Sequence, residues 1–225
     1  MYLENPPFEL GETLDGTASD GTTLINGHLL GTIFEFPAKT VGAADNRGNK
    51  SRYSGKTIKA ICLRNTSGIR LYGKRIGVIN QAAAAGYDGM HVCDGYAAGG
   101  VGNRSQIVVI DEYLASTGVA DDDLFWGIIA GPVKVLVPAV GADFNGDIAV
   151  GNLLVNSTGT TSQSVTQSGR ISNVTFTAAT AGNTSNGLNG FQMAANAVGW
   201  ALSARTTQES TAGTDVLINA CIRLF

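Results

Sequence analysis

Residues 121–155 hold two apolar, β-branched runs, 124–129 and 133–137, separated by Gly131-Pro132 and followed by a Gly-rich corner that leads into a third run, 148–155. Runs this short, bounded by Gly and Pro, fit buried strands better than core helices. The stretch therefore predicts strand, turn, strand, loop, strand. A looser version returns at the end of the sequence, where 198–204 and 215–225 flank a polar turn segment, 206–213. Two apolar hairpin-like blocks predict one closed β-structure: an all-β chain, a β-barrel or β-sandwich of antiparallel strands, with an extended N-terminal arm and at most one short helix.

The rest of the sequence divides in the same terms. Residues 1–23 carry Pro6-Pro7, several acids and no period of 2 or 3.6, which predicts an extended arm. Its apolar residues Tyr2, Leu3, Phe8 and Leu10, with Pro6 and Pro7, cannot bury against one another. They lie along the parent domain or dock on a neighbouring subunit, with a frayed tail as the alternative, and these six form the candidate interaction set. Residues 24–225 form the β-rich domain, with a division into two subdomains near residue 120 as an option. Residues 24–36 read as a strand that Pro37 stops. In 56–64, Ile58, Ala60 and Cys62 alternate with Thr57, Lys59, Ile61 and Leu63, so neither face is purely polar and a strand covered on both faces is expected. Residues 69–72 and 75–79 read as a strand pair around Gly73, 90–93 as a short strand within a Gly/Ala-rich loop, and 107–110 as a strand. Residues 111–116 are the best short-helix candidate, ending at Gly118. The Ser/Thr/Gly/Asn-rich stretch 156–189 suits exposed strands and long loops. The helical stripe of 191–202 is interrupted by Gly199 and Trp200, so a strand from Val198 is preferred.

Chemistry-bearing motifs are sparse. Lys and Arg number 15 against 18 Asp and Glu, a net charge of −3, which argues against nucleic-acid binding because phosphate contacts need clustered cations. The densest basic stretch, 47–59, reads as a solvated loop. Cys62, Cys93 and Cys221 are odd in number and far apart, so no disulfide framework is expected. His91 and Cys93 lack a second ligand pair at zinc spacing. Asp143, Asn145 and Asp147 alternate as in a calcium loop, but Ile148 and Leu154 stand where that loop needs Gly and Glu. A turn whose Asp and Asn side chains accept backbone N–H groups accounts for the same residues, with an ion as the alternative. The acidic triplet Asp121, Asp122 and Asp123 reads the same way. The Gly-rich segment 95–103 has no Lys-Ser or Lys-Thr after it, against nucleotide binding. His28 and His91 sit beside no nucleophile-elbow Ser or Cys, and carboxylate pairs such as Asp111-Glu112 are not distinctive. No enzyme activity and no cofactor are expected. No transmembrane run is present and residues 1–10 lack signal-peptide regions, so the expectation is a soluble, unexported chain with no membrane partner.

Only 15% of residues are charged and 30 are Gly, a composition that suits a surface largely covered by partners. Over residues 53–225 the order of blocks resembles virion proteins of tailed bacteriophages, in particular capsid decoration (cement) proteins. The resemblance rests on Trp126 followed by Gly131-Pro132, on Gly146-Asp147 followed by Gly151, and on Gly199, Ala201 and Leu202 before a polar turn and a short terminal strand. It implies a structural protein on the outer capsid surface, made in the host cytoplasm, that binds the major capsid protein and its own copies as a homotrimer. The arm would reach the capsid protein or the adjacent subunit. The alternative is a tail, fibre or receptor-binding module with 156–189 as its adhesive surface; the sequence shows no repeats or heptads of the kind fibres carry.

Overall fold

The computed structural model describes residues 6–41, 51–80, 92–96, 107–137, 148–156, 171–173, 199–204 and 216–223. Ten strands are defined: β1 Ile33–Val41, β2 Ser51–Asn65, β3 Ile76–Asn80, β4 Val92–Tyr96, β5 Ile107–Ile110, β6 Leu124–Val137, β7 Leu153–Asn156, β8 Ile171–Asn173, β9 Gly199–Ala201 and β10 Val216–Arg223. Among the described residues the one helical element is a 3-10 turn, Gly27–Leu29. The chain is all-β, as expected. The strands join in one sheet ordered β1-β2-β4-β3-β5-β6-β10-β9-β7-β8, with a further pairing between β2 and β6.

Strand β2 organises one half of this sheet. Its residues 59–61 face both β1 and β6, and Arg64 faces both β4 and β6. Hence β1 and β4 share one edge of β2 and β6 takes the other, and the ladder β2-β4-β3-β5-β6 returns to β2. The β2–β4 pair is parallel, so the expectation of purely antiparallel strands is corrected to a mixed sheet. A parallel pair needs a crossover, and here the chain that connects β2 to β4, which includes β3, supplies it.

The register puts Ile61, Leu63, Ile79, Cys93, Val108, Ile110, Phe125 and Ile129 on one face of these five strands, where they form a single buried cluster. The opposite face is buried as well. Ile58, Ile76, Val109 and Ile128 join Val133, Val135, Leu154, Ala201, Ile218 and Ile222 in a second cluster that spans both halves of the sheet. Every residue from Leu124 to Ile129 is buried, which is why the run contains no polar alternation. A side chain such as Phe125, fully buried, contributes about 1.5–3 kcal/mol.

Five local expectations are corrected. Gly131-Pro132 is not a turn: β6 runs through it as one strand, leaving its ladder with β2 and β5 and taking up β10. Pro37 does not end β1, which continues to Val41 with a register shift between Pro37 and Lys39; β1 is an end strand of the sheet, where a missing N–H is tolerated. Residues 111–116 form turns rather than a helix, because the Asp111 carboxylate accepts the N–H of Tyr113 at 2.9 Å and closes a local ring that competes with helical bonding. The residues 69–72 make a single bridge, Leu71 with Val119, and β4 lies slightly beyond the strand expected at 90–93. The strand following residue 120, β6, belongs to both halves of the sheet.

Candidate functional site

The N-terminal segment is fastened to the sheet from Phe8 to Ile25. Phe8 is buried and stacks on Trp126, with ring centroids 4.8 Å apart and planes at 26°. Phe34 and Phe36 of β1 meet the same indole edge-on at 5.7 and 5.2 Å. Both are the geometries aromatic quadrupoles favour. The Trp126 Nε1–H donates to the Phe8 carbonyl at 3.0 Å, so the buried indole is satisfied and the segment's position is fixed. Further along, Gly11 N–H donates to Asp111 Oδ2 at 2.6 Å, and Leu14 and Leu124 exchange backbone hydrogen bonds of 3.0 and 2.8 Å.

Arg64 completes the attachment. Fully buried, it donates through Nη1 to the carbonyls of Gly16 and, at 3.3 Å, Asp122, and through Nη2 to the carbonyl of Ile25 at 2.6 Å. Residues 17–24 between these anchors close on themselves: Thr17 bridges Leu24, and Asp20 accepts the N–H groups of Thr22 and Thr23 at 2.9 Å each. Hydrogen bonds from Thr23, then Thr22, hold the Asp20 carboxyl down at about 2.

Of the six arm residues picked out by sequence, Phe8 is buried in this chain, Leu10 is half-buried and packs against the core, Pro6 is half-buried and Pro7 is exposed. Tyr2 and Leu3 lie outside the described residues. The acidic triplet is a turn. Asp121 Oδ1 accepts the N–H of Gly68 at 2.9 Å, Asp122 sits at φ +65°, and burial, then the nearby Asp15 charge, raises the Asp123 carboxyl. Asp143, Asn145, Asp147 and His91 lie outside the described residues. Burial pushes the thiols of Cys62 and Cys93 up to about 12, so both are inert thiols rather than nucleophiles at neutral pH. Among the described residues no group of three or more His, Cys, Asp or Glu is placed to hold a metal ion, and no helix is long and apolar enough to cross a membrane.

A second feature lies on the outward face of the other half of the sheet. Leu153 pairs with Trp200, and Trp200 with Cys221, so these side chains form a row across β7, β9 and β10. On β10 the same face carries Leu217, which pairs with Leu136 of β6. Leu153, Trp200 and Leu217 are 40, 36 and 43% exposed. Among the described side chains of β6, β7, β9 and β10, Lys134 is the one charged residue on this face. The alternation in 217–222 was a usable sequence signal: Ile218, Ala220 and Ile222 go inward, which leaves Leu217 and Cys221 outward. Arg64 and Asp111 gave no such signal, because their partners lie up to 100 residues away.

No protein-family model, curated protein or solved structure matches this chain.

Proposed function

We propose that this chain is a virion structural protein that decorates the outer surface of a tailed-phage capsid, where it binds the major capsid protein and its own copies as a homotrimer. The chain acts by contact rather than catalysis. The observation that carries this reading is the outward row of Leu153, Trp200 and Leu217 on a regular sheet. An exposed Trp with little charge around it matches the core of a protein interface, where charge is depleted and Trp is enriched among the residues that dominate binding. The resemblance in the Trp126 to Pro132, Gly146 to Gly151 and Gly199 to Leu202 blocks supports the same reading; of these, Gly151 sits at φ +86° in a turn.

In this reading the five strands β2, β4, β3, β5 and β6 wrap into a barrel that serves as a rigid platform. The seated segment from Phe8 onward belongs to that platform, which leaves Tyr2, Leu3, Pro6 and Pro7 as the part of the arm that reaches a partner. Many weak contacts repeated over a lattice would then stiffen the shell by avidity, and closed symmetry favours a cyclic oligomer. The test is the copy number of this protein per purified virion, measured by quantitative mass spectrometry against the major capsid protein. A ratio near one is expected. A ratio of a few per cent would overturn the decoration role and favour a tail or adhesive one.

A further inference from the structure

Strand β6 shows which side of the sheet holds the N-terminal segment and which side holds the exposed row of Leu153, Trp200 and Leu217. Leu124, Trp126 and Ile128 alternate along β6 and so share one side. The first two line the socket of Phe8, and Ile128 packs with Val133 and Val135. The row lies on the reverse side, in register with Pro132 through Cys221 and with Leu136 through Leu217. The N-terminal segment is thus seated against one side of the sheet, and the row looks out from the other.

Length separates the two as well. Trp126, on which Phe8 stacks, precedes Pro132 by six residues, about 20 Å of strand. Trp200 lies two strands further across, beyond β10, about another 10 Å. Tyr2 and Leu3, outside the described residues, precede the fixed Phe8 by six and five residues, which span about 20 Å at full extension. That reach is used up before the sheet is rounded, so Tyr2 and Leu3 cannot cover the row of their own chain. Those of a second copy are under no such restriction.

We infer that the row is the docking site for the N-terminal tip of a neighbouring copy, with Tyr2 and Leu3 on Leu153, Trp200 and Leu217 and with Glu4 beside Lys134. The chemistry matches at each point. Tyr2 and Leu3 bring an aromatic and an aliphatic side chain to an apolar row. Glu4 follows them directly, and Lys134 is exposed on the face that receives them. Phe8, Gly11 and Leu14 are held on the donor copy, so the tip leaves from a rigid base and less freedom is lost on docking. Such a contact is heterologous: each copy gives one tip and receives one, and the contacts close into a ring of the size the rotation between copies sets.

This inference rests on the self-association part of the proposed function, and its test needs no virion. Sedimentation follows the full chain and two variants: the double variant Tyr2→Ala, Leu3→Ala, which removes the tip, and Leu217→Glu, which puts a charge in the row, with Leu153→Glu in its place where that variant does not fold. The wild type is expected to associate, and each variant to weaken association about thirtyfold. An equimolar mixture of the two variants is expected to form one-to-one pairs, because one supplies an intact tip and the other an intact row. Lys134→Glu should weaken association about two- to fivefold, and Glu4→Lys in the same chain should restore it; no restoration would overturn the Glu4–Lys134 contact. A tip variant that associates like the wild type would overturn the inference and leave row packed on row between copies. A mixture that stays monomeric would overturn it too, and a wild type that stays monomeric would overturn it in favour of a different protein on the row. A virion copy number near one alongside any of these failures would leave the decoration role standing without this contact.

Discussion

Arg64 shows how a single side chain can decide where a segment of the chain lies. A guanidinium is costly to bury, and the cost is offset only where its fixed fork of N–H groups meets acceptors. Here the Nη atoms meet the carbonyls of Gly16, Asp122 and Ile25, which join the N-terminal segment to the turn before β6. Replacing Arg64 with Met keeps much of the apolar volume and removes the guanidinium donors from those carbonyls, of which Gly16 keeps the Ile25 N–H at 2.8 Å. We expect a loss of about 2–4 kcal/mol in chemical denaturation. Arg64→Lys should rescue little, since one ammonium cannot reproduce a two-nitrogen fork. A cost within about 0.5 kcal/mol for the Met variant would show that water replaces the guanidinium and that the anchor is dispensable. None of this is legible in the residues around position 64, where an Arg after an apolar run reads as the polar end of a strand. The same holds for Asp111: in sequence it looks like a helix start, and only the Gly11 N–H, 100 residues away, gives its carboxylate another task.

Strand β6 shows the same limit at the level of elements. Its apolar runs and their strand character follow from the sequence, as does the burial of 124–129 on both faces. Gly131-Pro132 misleads because a Gly-Pro pair is a turn signal wherever the chain is free to reverse. Here β6 changes partners at that point: Ala130 pairs with Lys59 of β2, while Gly131 and Pro132 pair with Ile222 and Cys221 of β10. Gly131 takes φ +110°, and a Cβ there would lie 2.5 Å from the Thr57 carbonyl oxygen. The glycine is thus required by both backbone conformation and the proximity of β2. Gly131→Ala should destabilise the fold by about 2–4 kcal/mol, read as a lowered thermal midpoint. Pro132→Ala should cost less, since the proline's missing N–H is already accommodated. Equal and small effects would mean that the bend is relaxed rather than imposed. The strands β9 and β10 are legible as two apolar blocks on either side of a polar turn segment, and Ile218, Ala220 and Ile222 form the core face of β10.

For the molecule as a whole, the socket for Phe8 is built from parts distant in sequence: Leu29, Leu30, Phe36 of β1, Ala60 and Cys62 of β2, and Leu124 and Trp126 of β6. Phe8 and Trp126 are separated by 118 residues. Closing so long a loop is unfavourable until β1, β2 and β6 are already paired, so the segment should seat after the sheet forms. Trp126 is a direct probe of that event, because Phe8 and its carbonyl both contact the indole. With Trp200→Phe as background, Trp126 is the sole tryptophan, and refolding followed by fluorescence should show a main phase and then a later one. Phe8→Ala should remove the later phase and leave the main folding rate unchanged, with its cost expressed in faster unfolding, as for a contact absent from the transition state. If Phe8→Ala instead slows the main phase, the N-terminal segment is part of the folding nucleus, and the sheet forms around the Phe8–Trp126 stack rather than before it.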